Sequence, residues 1–452
     1  MKRTKRVLAR PKTEVVRRTY SICPTCMRRI GARHVRRGDK IYLEKTCPEC
    51  GGFSTLIWSG KVDIVKWRGG EPEIKPGENE NCPSACGICP EHRQGTCCVL
   101  LEVTRRCDLG CPFCFAQGEA EGADRDIEDV KKDLAFIVSK GGGLVQLSGG
   151  EPTLRDDLPE IVAAAHAAGI RYVQLNTNGI RLAQDEAYVE ALAAAGLSFV
   201  FMQFDGTKDK IFEALRGRPL FDIKKRAIEL CDKYHIGVTL VPMLVPGVNT
   251  DNIGDILRFA ANRSPAVRGV HFQPVSYFGR APKVPDDADR FTLDALIDAV
   301  YEQSYGLVPR DTLLPSRCDH PLCGFHGDYI VREDGTLYPL HRGQADCCCG
   351  VATAEQNREF VARRWLRRDE ALQPRSGGGE PCTCGETGET EGSMGLDEFA
   401  DRIKSHGFTV TAMAFQDRWN LDLERLRRCS LHVCDGERLV PFCAYYIGGG
   451  NG

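Results

Sequence analysis

Between residues 98 and 275, short apolar runs alternate with longer amphipathic ones, and this alternation predicts the central architecture. The runs at 98–104, 143–148, 171–176, 197–204, 237–245 and 267–275 are largely apolar, as strands covered on both faces are. Between them, 126–140, 157–168, 185–195, 221–234 and 251–263 intersperse Ala, Leu and Ile with charges and read as helices. Parallel strands need a crossover of about a dozen residues or more, and these helices supply it. The expected fold is α/β: six parallel strands curling into a partial (β/α)6 TIM-like barrel, with functional groups at the carboxyl ends of the strands.

Outside this region the pattern breaks. Residues 1–20 are basic (Lys2, Arg3, Lys5, Arg6, Arg10, Lys12, Arg17, Arg18), lack the apolar core of a signal peptide and read as a solvated tail. Residues 342–394 carry a Gly/Glu-rich stretch, SGGGEPCTCGETGETEGSMG, and read as a flexible surface insertion. No run of eighteen apolar residues exists, so no transmembrane segment is expected, which leaves peripheral membrane contact open. A length of 452 residues predicts two to four domains, and a formal net charge of −2 gives no sign of a nucleic-acid partner.

The chain has 23 cysteines and no export signal, which argues for metal ligation in a reducing, cytoplasmic setting rather than for disulfides. They are clustered, with only Cys231 far from any other, and that one reads as a small buried hydrophobe. Cys23-Pro-Thr-Cys26 and Cys47-Pro-Glu-Cys50 are two knuckles suited to one tetrahedral ion, zinc or a rubredoxin-like iron. Cys82, Cys86 and Cys89 have C-x3-C-x2-C spacing, and Cys97 or Cys98 stands ready as a fourth thiolate, which suits a saturated cluster. Cys318, Cys323, Cys429, Cys434 and Cys443 are too dispersed to chelate locally, so sharing a cluster requires the C-terminal region to fold back on the 318–326 loop. Cys347, Cys348 and Cys349 crowd badly around one metal; with Cys382 and Cys384 they suit reversible thiol chemistry or are incidental.

Cys107, Cys111 and Cys114 repeat the C-x3-C-x2-C spacing, now at the end of the first barrel strand. Three thiolates on one loop hold three irons of a [4Fe–4S] cluster and leave the fourth without a protein ligand. The strand at 143–148 runs into Gly149-Gly150-Glu151-Pro152, where glycines allow close backbone approach and a carboxylate is available to an ammonium group. The next strand ends in Asn176-Thr177-Asn178, a polar tip on the same side. Together these motifs resemble the radical S-adenosylmethionine (radical SAM) superfamily. Phe201, Met202, Met243, Phe272 and Phe278 lie at or near strand ends, where such residues are usually ordinary barrel core.

The segments CPSACGICPEHRQGTCCVLLEVTRRCDLGCPFCFA, VPMLVPGVN, VRGVHFQPVSYFGR, HPLCGFHG and AMAFQDRWNLDLERLRRCSLHV…PFCAYY are similar to the archaeal tetraether-lipid synthase and class D radical SAM methylase group. That resemblance implies a rubredoxin-type iron on Cys23, Cys26, Cys47 and Cys50. It implies one auxiliary [4Fe–4S] cluster on Cys82, Cys86, Cys89 and Cys97 or Cys98, and a second on Cys318, Cys323, Cys429 and Cys443. It implies SAM bound at the open iron, with Gly149, Gly150, Glu151 and Pro152 at the methionine amino end and Asn176 or Asn178 near the ribose. The implied reaction is reductive cleavage of SAM to a 5′-deoxyadenosyl radical, hydrogen abstraction and carbon–carbon bond formation by methylation or coupling, with no acid–base catalytic side chain assigned. The substrate is a small molecule, lipid or peptide, and the electron comes from an external donor such as ferredoxin or flavodoxin. Alternatives are a peptide- or protein-modifying radical SAM enzyme and a non-catalytic iron–sulfur electron carrier.

The expected organisation is a tail at 1–20, a separate four-cysteine module at 21–80, an auxiliary-cluster segment at 81–97 and a core barrel at 98–285. A C-terminal extension with a cluster loop follows at 286–341, then the insertion at 342–394 and a cysteine-rich, cluster-binding segment at 395–452.

Overall fold

A computed structural model of the chain describes residues 13–341 except 79, 85 and 88, together with 353–367, 402 and 404–448. The N-terminal part is a four-stranded antiparallel sheet in the order β1 (Thr13–Ile22), β2 (Arg29–Arg37), β3 (Lys40–Cys47), β4 (Gly51–Trp58). Each cysteine knuckle is the turn between two of these strands, one after β1 and one after β3. Residues 13–20 are thus not part of a solvated tail but an ordered edge strand. They are held because Arg17 is buried and ion-paired to Glu424 at 2.6 Å, and Thr19 donates to Asp422 at 2.6 Å. Nor is the module separate: His34 Nε2 lies 2.9 Å from Asp422 Oδ2, and Lys45 donates to the carbonyl of Arg418 at 3.0 Å. Burial without such partners would cost each of these groups several kcal/mol, so the pairs also fix how the ribbon docks.

The second sheet holds the barrel. Six strands run parallel in the order β5 (Cys98–Thr104), β6 (Leu144–Gly149), β7 (Tyr172–Thr177), β8 (Phe199–Gln203), β9 (Gly237–Val241) and β11 (Val267–Pro274), the short β10 (Met243–Leu244) pairing with β11. Helices Ile127–Ser139, Leu158–Ala168, Glu186–Ala194, Phe221–Lys233 and Ile253–Ala261 make the crossovers. Two further helices, Ile180–Gln184 and Asp209–Arg216, fill loops that periodicity left blank. Val99, Leu101, Val145, Val173, Val200, Val238 and Val270 are wholly buried, which accounts for the unbroken apolar strands. Cys231 is buried among them.

The chain beyond the barrel adds strands to both edges of this sheet. β12 (Leu314–Pro315), β13 (Gly324–Val331) and β14 (Leu337–Pro339) precede β15 (Gly407–Met413), which lies parallel to β11 and antiparallel to β13. β16 (Leu431–Asp435) lies parallel to β5 at the opposite edge, backed by β17 (Arg438–Pro441). The C-terminal region therefore folds back on the 318–326 loop as expected: Ala414 N donates to Cys323 O at 2.7 Å.

The proposed insertion at 342–394 needs correction in its middle. Ala354–Trp365 is a helix opened by a Thr353/Gln356 capping box, and it buries Ala362 and Trp365 against Phe199 and Phe201 of β8. The Gly/Glu-rich neighbourhood masked this amphipathic segment. Cys347, Cys348, Cys349, Cys382 and Cys384 lie outside the described residues.

Candidate active site

The cluster loop leaves the end of β5 and is pinned at both ends. Cys107 N donates to Glu119 O at 2.8 Å, and Cys114 and Arg280 exchange backbone bonds of 3.0 and 2.9 Å. Arg280 also reaches Gly118 O at 2.9 Å, and a Cβ on Gly279 would fall 2.4 Å from Cys114 O, so only glycine lets this strap lie on the loop. Leu109 anchors the loop among Ile180, Phe212 and Leu220. Phe115 packs edge-on against Phe442 and Tyr446, at 5.3 and 4.9 Å. Cys107, Cys111 and Cys114 thus hang from a rigid frame and line one cavity of about 670 Å³.

The Gly-Gly-Glu tip faces the same cavity, but its chemistry differs from the simplest expectation. Gly149 and Gly150 are needed for protein backbone, since a Cβ on them would meet Thr104 O at 2.2 Å and Arg106 O at 2.1 Å. This closeness lets Gly150 N bond Thr104 O at 2.8 Å and Glu151 N bond Arg106 O at 2.6 Å, welding β6 to the start of the cluster loop. Glu151 is buried, and its two oxygens accept from Thr153 N (3.0 Å), Thr153 Oγ1 (2.6 Å), Thr177 Oγ1 (2.7 Å) and Asn178 N (2.6 Å). Burial still leaves its pKa above the ordinary carboxylate value. Its carboxylate ties the tip of β6 to that of β7, while Gly149, Gly150, Glu151, Asn176 and Asn178 line the cavity. Asn178 Nδ2 donates to Asp108 Oδ1 at 2.6 Å, which joins the β7 tip to the cluster loop. Pro152 opens the 3-10 turn Pro152–Leu154 behind them and is not among the lining residues.

Sequence reasoning missed the charges around Cys111. Asp205 and Arg216 form a buried bidentate pair at 2.7 and 2.6 Å, and the guanidinium also faces the Cys111 sulfur. Burial alone would depress the Arg216 pKa, but Asp205 and then Cys111 more than offset it and raise it. Lys224 is wholly buried and donates to Asn178 O; burial lowers its pKa to about 8. An Arg and a Lys beside one thiol form an environment built for thiolate charge. Burial meanwhile raises the Cys107 thiol to about 12, a proton that metal binding has to displace. Three thiols on one loop and cations behind them fit a [4Fe–4S] cluster with one iron free of protein ligands.

The other cysteines fall into recognisable groups. Cys23, Cys26, Cys47 and Cys50 have ligand atoms within 4.8 Å of one another, as a single ion requires. The sulfurs of Cys82 and Cys86 are hydrogen-bonded, with Cys89 and Cys429 near enough for their charge to act on Cys86. Cys97 lies beside Cys318 rather than closing the Cys82/86/89 group, and it accepts from Asn357 Nδ2 at 3.3 Å. Cys98 turns to Gln146 Oε1 at 3.8 Å and lines the cavity. Cys323 accepts from Arg425 at 3.4 Å and Cys443 from Gln416 N at 3.3 Å, while Cys429 senses both thiols. Cys434 is buried on β16, away from these groups and near Asp133.

Of the strand-end apolar residues, Phe201 and Met243 line the cavity, whereas Met202, Phe272 and Phe278 belong to the core. The rest of the wall is mostly apolar, with Leu144, Val241, Phe325 and Trp365 among its side chains, and a set of polar groups is embedded in it. Gln146, Gln174, Gln203 and Gln273 come from β6, β7, β8 and β11, and Asp328, His326 and Arg364 close the far side.

Residues 101–260 match the family model of the radical SAM superfamily, and residues 15–59 match that of the HMPTM N-terminal zinc ribbon domain. The 7,8-dihydro-6-hydroxymethylpterin dimethyltransferase of Methanocaldococcus jannaschii is 31% identical over 95% of this chain and 93% of its own length. The Fe-coproporphyrin III synthase of Methanosarcina barkeri is 31% identical over 49% of this chain and 56% of its own. Among solved structures, Streptococcus suis SuiB bound to its precursor peptide SuiA is 20% identical, with a TM-score of 0.38 over 47% of this chain and 46% of that one.

Proposed function

The chain belongs to the radical SAM superfamily, and from that premise we propose that it is an iron–sulfur methyltransferase acting on a pterin or similar fused heterocycle through carbon–carbon bond formation. The observation that carries the substrate class is the wall of the cavity. Four glutamines from four strands, together with Asp328, His326 and Arg364, face the volume in front of Cys107, Cys111 and Cys114. An alkyl chain would leave Asp328 Oδ1, His326 Nε2 and Arg364 Nη1, which have no hydrogen-bond partner among the described residues, unsatisfied at a cost of about 1–3 kcal/mol each, whereas a ring bearing N–H and C=O groups can pair with them. The nearly full-length likeness to a pterin dimethyltransferase supports the same reading.

Cys107, Cys111 and Cys114 would hold a [4Fe–4S] cluster, which together with SAM would supply 5′-deoxyadenosyl radical chemistry on one-electron reduction by an external donor such as ferredoxin or flavodoxin. The chain's own residues hold and shield. Glu151, Asn178 and Asp108 lock the tips of β6 and β7 to the cluster loop, so the cofactor platform and the cavity share one rigid frame. Phe115, packed on Phe442 and Tyr446, forms an apolar part of the cavity wall beside the loop and helps exclude water there. The thiols around Cys82/Cys86/Cys89 and around Cys318/Cys323/Cys429/Cys443 would hold two further clusters; Cys97 lies beside Cys318, and Cys429 is near both sets. Cys23, Cys26, Cys47 and Cys50 would hold one ion.

The methyl group has to come from a separate donor, because a SAM cleaved to 5′-deoxyadenosine keeps its methyl on methionine. The test therefore uses anaerobic, reconstituted protein with dithionite, 7,8-dihydro-6-hydroxymethylpterin, SAM in excess as radical source and candidate second-equivalent methyl donor, and a methylene-tetrahydropterin as alternative one-carbon donor. Release of 5′-deoxyadenosine together with a pterin product heavier by one or two methylene units is the expected outcome. Radical production with no change in any pterin would refute the substrate class, and absence of 5′-deoxyadenosine after full cluster loading would refute the enzyme.

A further inference from the structure

Three buried polar atoms meet on the cavity wall formed by β13 and the helix Ala354–Trp365. Asp328 is buried; its Oδ2 lies 3.2 Å from His326 Nδ1, and its Oδ1 lies 3.1 Å from Arg364 Nη1. The second contact is an ion pair but has no hydrogen-bond geometry. Asp328 Oδ1, Arg364 Nη1 and His326 Nε2 therefore all lack a hydrogen-bond partner among the described residues. Burial would raise the Asp328 pKa, but the His326 hydrogen bond and the Arg364 charge more than offset it and hold the carboxyl ionised, below its ordinary range. A half-satisfied buried network of this kind is costly unless something completes it.

We propose that Asp328 and Arg364, steadied by His326, anchor the 2-amino-4-oxopyrimidine edge of the substrate. This inference rests on the heterocycle reading above and specifies how that ring is held. Such an edge carries N–H donors next to a carbonyl acceptor. Asp328 Oδ1 takes the donors and Arg364 Nη1 gives to the carbonyl, so one ring satisfies atoms of both signs. Neighbouring residues suit a flat ring: Phe201 lies 4.6 Å from Trp365 and 5.5 Å from His271 between ring centroids, an aromatic wall in the same cavity. His271 belongs to that wall as a neutral imidazole, because burial lowers its pKa to about 4 and its Nδ1 bonds Thr411 Oγ1 at 2.9 Å. Pterins and guanine nucleosides share this pyrimidine edge, so the test includes both.

Fluorescence titration of the full-length, reconstituted protein with 6-hydroxymethylpterin, without reductant, reads binding independently of radical chemistry. Guanosine and a lumazine, which has an oxo group in place of the amino group, serve as competitors. Asp328→Asn turns an amide N–H toward the ligand's donors and is expected to weaken pterin binding by about 10- to 100-fold, the scale of one charged hydrogen bond. In the wild type the lumazine is expected to compete poorly. Loss of guanosine competition alongside pterin binding in the variant supports the shared edge, and the stronger wild-type ligand identifies the source. The change in the reduced cluster's paramagnetic signal on adding SAM reports whether each protein is folded and loaded. Should Asp328→Asn fail that check, Arg364→Gln, on the outer helix, carries the test with a smaller expected loss. Equal pterin affinity in wild type and variant, or a wild type that cleaves SAM yet binds neither ring, overturns the anchor. A wild type that binds pterin through Asp328 but never forms 5′-deoxyadenosine leaves the anchor standing and overturns the enzymatic reading instead.

Discussion

Replacing Arg216 by Gln probes the electrostatics of the cluster loop most directly. In the wild type its guanidinium makes two bonds of 2.7 and 2.6 Å to Asp205 and turns a further edge to Cys111, with both members of the pair buried. Without the cation, Asp205 keeps a buried charge whose other nearby donor is Met243 N at 3.3 Å. Losing one partner of such a pair costs about 3–5 kcal/mol of stability. The consequence for the cluster is a matter of sign. Reduction adds negative charge beside Cys111, and Arg216 stabilises the reduced state more than the oxidised one. A charge-assisted hydrogen bond is worth about 1.5–3 kcal/mol. At about 59 mV per 1.36 kcal/mol for one electron, complete loss of that preference lowers the midpoint potential by roughly 65–130 mV. Arg216→Lys keeps the charge without the fork and is expected to shift it less. Paramagnetic resonance followed through a redox titration in the absence of SAM measures the midpoint, with iron content as the loading control. A fully loaded Arg216→Gln protein with an unchanged or raised midpoint would refute this assignment of Arg216.

Gly150→Ala places a Cβ 2.1 Å from Arg106 O, so the bond from Glu151 N to Arg106 O cannot survive; the expected result is a misplaced cluster loop, measured as a loss of SAM-responsive cluster signal. Burial raises the Asp294 pKa to about 6 from 3.8 unfolded, so its contribution favours the fold below pH 4 and is lost as pH rises through about 6. Asp294→Asn is therefore expected to be more stable than wild type by roughly 1–3 kcal/mol at pH 8, with the difference vanishing below about pH 4 in urea denaturation. Cys47→Ser removes one of four ligands spaced for a single ion and should release that ion and loosen the ribbon, read by metal analysis and limited proteolysis.

The periodic patterns of the barrel were legible because each strand there is covered on both faces by elements adjacent in sequence. Cys107, Cys111 and Cys114 were legible for a related reason: thiols four and three residues apart chelate from one loop. The role of Gly149 and Gly150 was only half legible. Glycine signals close approach without saying to what, and here the neighbour is the backbone of Thr104 and Arg106. The helix Ala354–Trp365 was hidden because its apolar face is short and its surroundings are rich in Gly and Glu.

What the chain decided by itself, then, is local: strand and helix periods, the two knuckles that fold around one ion, and the open triplet at the end of β5. Contacts across hundreds of residues came from the tertiary structure alone. β15 and β16 are separated by only 17 residues yet flank the parallel strands on opposite sides, next to β11 and β5, and Arg17 meets Glu424 in a buried pair. Asp328 and Arg364 face each other across the cavity wall, and Cys97 finds Cys318, for the same reason. Side-chain pairing at long range depends on where the whole fold brings two backbones together, and neither hydrophobic period nor residue spacing carries that information.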